Sequence, residues 1–109
     1  RNFKTTDIQA VNSIAGLNIK NTDLLINATA VGMKETDSCL VNSDDIAEGM
    51  LVYDLIYNPK ETKLLKMAKS KGASISNGLG MLLYQGALAF KIWTNSEPPY
   101  RIMQQALLS

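Results

Sequence analysis

The stretch MLVYDLIYNP, residues 50–59, decides the fold class of this chain. It is a continuous apolar run with one polar intrusion, Asp54, whereas a strand with one face in water alternates apolar and polar residues. The run ends at Asn58–Pro59, because the residue before a proline is pushed out of the helical region. The stretch therefore predicts a strand that is covered on both faces, as strands of parallel sheets are.

Two further strands are predicted on either side of this run. Residues 23–27 form another continuous apolar run, again typical of a strand covered on both faces. A short third strand is predicted at residues 73–76, and helices are predicted between and after the strands. Because strands and helices alternate along the chain, the sequence predicts an α/β fold with parallel strands joined by right-handed crossovers.

The helices carry recognisable end signals. Thr62 is placed to cap a helix that extends to Lys71, with lysines near its C-terminal end and Gly72 as its C-terminal cap. A second helix, apolar nearly all round, is expected over about residues 80–93 and is therefore predicted to be buried. A last helix runs from Pro98–Pro99 to Leu108, and residues 5–15 carry a weak helical pattern.

The ends of the three strands indicate where a ligand would bind. In open parallel sheets, ligands bind beyond the carboxyl ends of the strands. All three ends are rich in asparagine, glycine and small polar groups, and they should lie along one edge of the sheet: residues 27–33, 54–59 and 77–80. This convergence predicts a binding site at that edge.

Composition excludes several classes of function. A net charge of +1 gives no strong field for nucleic acid, and no apolar run approaches the roughly 20 residues that cross a membrane. Without histidine, the chain lacks the Ser-His-Asp triad and the usual zinc ligand sets. Its single cysteine, Cys39, cannot form an internal disulfide, which fits a reducing compartment. The chain begins at Arg1 without an initiator methionine, so a processed product or a fragment is expected.

Three blocks of sequence together resemble the shikimate dehydrogenase family: NATAVGM at residues 27–33, YDLIYNP at residues 53–59, and NGLGMLLYQGA at residues 77–87. They occur in the family's order and spacing, and the resemblance extends from about Asp23 to the C-terminus. It implies part of a Rossmann-like doubly wound parallel sheet with flanking helices. Residues 1–93 would form the later part of the NADP-binding domain, and residues 94–109 a C-terminal helix that closes against an N-terminal substrate domain.

The resemblance also implies an activity, the NADP-dependent reduction of 3-dehydroshikimate to shikimate in cytoplasmic aromatic amino acid biosynthesis. The implied partner is this small-molecule substrate, with no nucleic acid or membrane, and a homodimer is a candidate assembly. The family's catalytic lysine and aspartate belong to the N-terminal domain, so no catalytic residue is expected here and this chain alone should be inactive. Its glycine-rich phosphate turn is also missing, and Arg1–Asn2 is a candidate remnant of the segment that binds the 2′-phosphate.

The implied site residues fall into two groups. For the cofactor, Leu55 and Met81 would lie near the nicotinamide, the backbone of Gly78 would lie against it, and Thr29 and Ala30 would pass the nicotinamide ribose. For the substrate, Tyr57 would contact it and Gln85 would form a hydrogen bond with one of its hydroxyl groups. No metal ligand is implied.

Several residues near the predicted site also have a purely structural interpretation. Gln85 could be a buried amide satisfied by backbone carbonyls, and Tyr57 a strand-end aromatic with its hydroxyl in water. Gly78 and Gly80 could simply permit a tight turn. This interpretation is compatible with the close approach of a ring, because both require a residue without a side chain. Asp54 is interpreted as structural, since an unpaired buried carboxylate is too costly.

Further alternatives concern the methionines and the function as a whole. Met33, Met67 and Met103 are interpreted as core residues. For the function, two alternatives remain: a quinate/shikimate dehydrogenase with broader substrate or NAD use, and a non-catalytic α/β fragment retained for binding or assembly.

Overall fold

The computed structural model of the protein describes residues 7–109. Three parallel strands form one sheet in the order β1 (Leu24–Asn27), β2 (Leu51–Asp54) and β3 (Ser74–Ser76). Three helices accompany them: α1 (Lys63–Ser70), α2 (Leu79–Thr94) and α3 (Tyr100–Leu108). The predicted α/β class with parallel strands is confirmed.

Short 3-10 turns occupy Ile14–Gly16, Ile19–Asn21 and Ser43–Asp45. The helix predicted over residues 5–15 is wrong in its described part, because residues 7–13 hold no helix and only a 3-10 turn begins at Ile14. The hypothesis about Arg1–Asn2 lies outside the described residues.

The core lies between α1 and one face of the sheet. Leu25, Val52 and Ile75 are register partners and form one row across this face. Val52 is fully buried, and Leu65 and Ala68 of α1 are buried in the same apolar cluster. These contacts fix α1 against the sheet and so set the position of the strand ends. Met67, predicted to be a core residue, also packs against this cluster.

The opposite face of the sheet is only partly covered, which corrects the prediction for β1. Within the described residues, the side chains of Leu24 and Ile26 are 49% and 53% exposed. Leu51, the register partner of Leu24, is exposed as well. An unbroken apolar run shows that both faces of a strand are apolar, but it does not show which element covers the second face.

The N-terminal end of α1 is fixed by its capping residue, as predicted. The Thr62 hydroxyl accepts a hydrogen bond from the Leu65 amide at 3.3 Å and donates one to Asp54 Oδ2 at 2.7 Å. At the other end, Gly72 follows the helix with a φ of +84°, a conformation that side chains with a Cβ rarely adopt. Thr62 thus joins the helix to the end of β2.

The prediction that α2 is buried is wrong. Within the described residues, only Ala87 of this helix is buried, and Trp93 is 83% exposed. The helix packs against α3, where the rings of Tyr84 and Tyr100 lie 6.2 Å apart. Apolar side chains on all sides of the helix indicated burial, but most of these sides are exposed to solvent in the described part of the chain.

Replacing Thr62 by Val should lower the free energy of unfolding by about 2–3 kcal/mol. The isosteric change removes a helix cap, worth about 1 kcal/mol, and leaves one buried oxygen of Asp54 without its donor, at a further cost of about 1–2 kcal/mol. Urea denaturation followed by circular dichroism measures the difference. Thr36→Val, at an exposed loop position, is the control and should change stability by less than about 0.5 kcal/mol. Equal stability of the two variants would contradict this account of the cap.

Candidate functional site

The three strand ends meet at one edge of the sheet, as the sequence predicted. Asn27 and Asp54 are register partners at the ends of β1 and β2. The backbone continues the pairing beyond the strands, since the Leu55 amide donates to Asn27 O at 3.0 Å and the Gly78 amide donates to Ile56 O at 3.2 Å. The segments that follow the three strands therefore lie side by side.

A buried carboxylate lies behind this edge. Asp54 is fully buried, and its Oδ1 accepts hydrogen bonds from Asn27 Nδ2 and from the Ile56 amide, both at 3.1 Å. Its Oδ2 accepts the bond from Thr62 already described. The structural interpretation of Asp54 is confirmed, because these donors satisfy both oxygens inside the protein and offset the cost of burying the charge.

Asn27 organises the loop after β1. Its Oδ1 accepts hydrogen bonds from the Thr29 amide at 3.0 Å and the Thr29 hydroxyl at 2.7 Å, and its Nδ2 also donates to Val31 O at 3.0 Å. The Val31 amide donates to Thr29 Oγ1 at 3.1 Å. The loop is thus held in one shape by its own side chains.

The far end of the same loop is held by Asp37. Its Oδ2 accepts from the Gly32 amide at 2.9 Å and the Lys34 amide at 3.1 Å. These two hydrogen bonds, the Gly32 bond first, lower the pKa of the Asp37 carboxyl below its ordinary value, because they favour the ionised form. Lys63 Nζ donates to the carbonyl oxygens of Glu35 and Asp37 at 2.6 and 2.9 Å, which ties the loop to α1.

A cavity of about 420 Å³ opens between the loops that follow β1 and β2. Four of the predicted site residues line it: Thr29, Ala30, Leu55 and Tyr57. Met33 lines it too and is 59% exposed, so its prediction as a core residue is wrong. The surface of the cavity is mostly apolar and carries no carboxylate or ammonium group.

A groove of about 530 Å³ lies between the sheet and the first half of α2. It contains two further predicted residues, Met81 and Gln85, together with Tyr53, Asn77 and other residues. Gly78 stands between the two concavities, because it follows Asn77 of the groove and touches Leu55 of the cavity. The predicted cofactor and substrate residues thus divide between two neighbouring hollows.

Gln85 is exposed, and within residues 7–109 its side chain forms no hydrogen bond. The alternative of a buried amide satisfied by backbone carbonyls is therefore wrong. Tyr57 is 46% exposed, so both a hydroxyl in water and a hydroxyl available to a ligand fit its position. Both side chains are accessible from solvent.

Gly78 is required by a close approach of two backbone segments. A Cβ added at this position would lie 1.9 Å from the carbonyl oxygen of Leu55. Its φ of −81° is open to any residue, so space and not conformational freedom demands glycine. Gly80, in contrast, has nothing within 4 Å of an added Cβ.

Sequence reasoning missed the roles of Asn27 and Asn77 in shaping the site. Asn77 Nδ2 donates to Lys60 O at 3.0 Å, and its Oδ1 accepts from the Leu79 amide at 3.1 Å at the start of α2. The available signal was an asparagine at the carboxyl end of a strand, since asparagine side chains readily bond to the backbone two residues on.

Within residues 7–109, no group of three or more carboxylate or cysteine side chains could hold a metal ion. In the same part of the chain, no helix has the length and apolar character needed to span a membrane.

The fold and the position of the site define this chain as part of a Rossmann-like α/β domain. Residues 78–108 match the family described as the Shikimate 5'-dehydrogenase C-terminal domain. A shikimate dehydrogenase (NADP(+)) of Methanocaldococcus jannaschii is 48% identical over 94 residues, which cover 84% of this chain and 33% of the relative. The chain belongs to the shikimate dehydrogenase family.

Solved structures agree with this assignment. A shikimate dehydrogenase in complex with NADP+ superposes with a TM-score of 0.79 at 48% identity, over 84% of this chain and 33% of the other. A quinate dehydrogenase of Corynebacterium glutamicum in complex with NAD gives a TM-score of 0.75 at 30% identity, over 82% of this chain and 32% of the other. The chain spans about a third of the length of the curated relatives it matches.

Gly78→Ala should destabilise the protein by about 2 kcal/mol or more, because the added methyl group forces the end of β2 and the start of α2 apart. Gly80→Ala is the matched control: it lies two residues away in open space near the start of the helix, where alanine is favoured over glycine by about 0.5–1 kcal/mol. Thermal unfolding of both variants measures the contrast. A Gly78→Ala protein as stable as Gly80→Ala would show that the two backbone segments do not approach so closely.

Proposed function

We propose that this chain is the part of an NADP-dependent shikimate dehydrogenase that holds the nicotinamide end of the cofactor and one wall of the substrate pocket. The enzyme would transfer a hydride between the nicotinamide and the ring carbonyl of 3-dehydroshikimate. The observation that carries the proposal is the meeting of the three family-like blocks, residues 27–33, 53–59 and 77–87, at one edge of the sheet. Ligands of open parallel sheets bind at this edge.

The cavity between the first two loops supports the cofactor half of the proposal. Its walls of Ala30 and Leu55 are small or apolar and carry no charge, which suits the flat face of a nicotinamide ring. Gly78 brings a backbone surface beside Leu55 with no side chain between them. The Thr29 hydroxyl is already engaged with Asn27 and Val31, so Thr29 would meet the ribose with its remaining atoms. Met81, which lines the groove, would contact the nicotinamide ring from that side.

The exposed polar groups beside the cavity support the substrate half. Shikimate carries hydroxyl groups around its ring, and the Gln85 amide offers both a donor and an acceptor to such groups. Tyr57 offers a phenolic hydroxyl at the mouth of the cavity. The role of both residues would be to orient the substrate ring toward the nicotinamide, since correct alignment of two reactants removes much of the barrier.

The remaining parts of the enzyme would supply proton transfer. Among the residues that line the cavity, Tyr57 alone is ionisable, so the family's lysine and aspartate would come from the part of the enzyme that this chain does not span. The accessible surface of 8275 Å² exceeds the roughly 6,000 Å² expected for a folded monomer of this mass, which supports further covering by protein.

Under this proposal, residues 1–93 belong to the cofactor-binding domain and residues 94–109 close against the substrate domain. The exposed apolar side chains Trp93 and Ile102 fit such a contact. The enzyme would act in the cytoplasm, and a homodimer is its candidate assembly. Because the chain is also similar to the quinate dehydrogenase, quinate as substrate with NAD as cofactor is the second candidate. Kinetic constants measured with NADP and NAD, and with shikimate and quinate, decide between the two candidates.

Replacing Gln85 by Ala in the complete enzyme should lower kcat/KM for shikimate by about 10- to 100-fold, because a hydrogen bond to a substrate hydroxyl is lost. The KM for NADP should change less than about twofold, since the amide faces the groove and not the cavity. Steady-state NADPH absorbance measures both constants.

The matched control is Gln9→Ala, which removes an exposed amide that lines neither the cavity nor the groove and should leave both constants unchanged. Unchanged shikimate turnover in Gln85→Ala would contradict the substrate role. If the unmodified enzyme also neither bound NADP nor turned over shikimate, the non-catalytic alternative would hold.

The 109-residue chain by itself should show no shikimate-dependent reduction of NADP, because under this proposal the lysine and aspartate for proton transfer would lie in the part of the enzyme that it does not span. The measurement is an absorbance assay with the purified chain at high concentration, with the complete enzyme as positive control. Turnover by the isolated chain would show that its own residues suffice for catalysis.

A further inference from the structure

We propose that Asp54 is a positioning residue for cofactor binding, an inference that rests on the proposed function. Its carboxylate lies one or two hydrogen bonds from the backbone of all three loops at the edge of the sheet, yet it is fully buried and lines neither hollow. It would act by fixing the shape of the cavity and would touch neither cofactor nor substrate.

The first connection runs through Asn27 to the loop after β1. Asp54 Oδ1 fixes Nδ2 of Asn27, and the amide oxygen of Asn27 is thereby turned toward the amide and hydroxyl of Thr29. The same Nδ2 holds Val31 O. Thr29 and Ala30, which line the cavity, are therefore placed by a side chain whose orientation Asp54 sets.

The second connection runs through Ile56 to the other two loops. Asp54 Oδ1 accepts the Ile56 amide, which fixes the turn that carries Leu55 and Tyr57 into the cavity. The carbonyl of Ile56 in turn accepts the Gly78 amide at 3.2 Å. The wall opposite Thr29 thus depends on the same oxygen atom as the first connection.

The third connection leads away from the cavity. Asp54 Oδ2 accepts the hydroxyl of Thr62, which caps α1 and lines neither the cavity nor the groove. The two oxygens therefore serve different purposes, since Oδ1 holds the site and Oδ2 holds the core. Breaking one connection at a time separates a positioning effect from a loss of stability.

A carboxylate suits this position because its two acceptor oxygens meet three donors. An asparagine at residue 54 can keep its oxygen on Asn27 and Ile56 and donate its amide group to the Thr62 hydroxyl, which also accepts, so Asp54→Asn can leave the connections at Oδ1 in place. Asp54→Ala removes both oxygens, which makes it the direct test.

The experiment measures the dissociation constant of NADP by fluorescence titration, and the melting temperature, for the complete enzyme and four variants. Asp54→Ala and Asn27→Ala should each raise the dissociation constant by about 10-fold. In the double mutant, the dissociation constant should exceed the higher of the two single-variant values by no more than about twofold. The reason is that both changes break the same connection. Thr62→Val should lower the melting temperature at least as far as Asn27→Ala but raise the dissociation constant by less than about twofold.

The kinetic constants give a second measurement. If Asp54 acts by positioning, the KM for NADP should rise in Asp54→Ala with little change in the KM for shikimate. A merely structural role would lower the amount of active enzyme, and hence the apparent kcat, with both KM values unchanged. An NADP dissociation constant in Thr62→Val as high as in Asp54→Ala would overturn the proposal.

Amide hydrogen exchange tests the connection without relying on the activity. The amide protons of Thr29 and Val31 should exchange faster in Asp54→Ala and Asn27→Ala than in Thr62→Val. Equal exchange in all variants would refute the positioning role even in an active enzyme. If the unmodified enzyme failed to bind NADP, the proposed function would fall, while the exchange rates would still decide whether Asp54 shapes the loop.

Discussion

The structure depends on one buried carboxylate and the three hydrogen bonds that it accepts. Asp54 ends the central strand, and its donors come from the neighbouring strand end, the following turn and the cap of α1. A charge without such partners could not be buried there, because its desolvation would cost several kcal/mol. The sheet, the helix that covers it and the loops of the site are therefore joined at a single residue.

Much of this arrangement was predictable from local chemistry. The cap at Thr62, the glycine at residue 72 and the alignment of the strand ends all follow from short-range rules on capping, handedness and parallel pairing. The buried, satisfied state of Asp54 followed from the cost of an unpaired charge. The identity of its three donors could not be predicted, because they lie 2, 8 and 27 residues away along the chain and meet only in the folded protein.

Burial was the property that the sequence predicted least well. The apolar residues of α2 and of Leu24 and Ile26 indicated two covered surfaces, but the described part of the chain covers only one face of β1 and one residue of α2. Apolar composition alone does not establish burial, because folded proteins also expose many apolar side chains. The exposed state of Gln85 has the same origin, since its helix packs chiefly against α3.

The close approach of Gly78 to the carbonyl of Leu55 limits how this site can diversify. Because any Cβ there would collide with the backbone, one wall between the two hollows is made of peptide groups and cannot be altered by substitution. Changes in the shape of the cavity must then arise at side chains that have room to vary, and Met33, exposed at its rim, is one of them. In protein engineering, residue 78 is a position to leave untouched and residue 33 one to randomise.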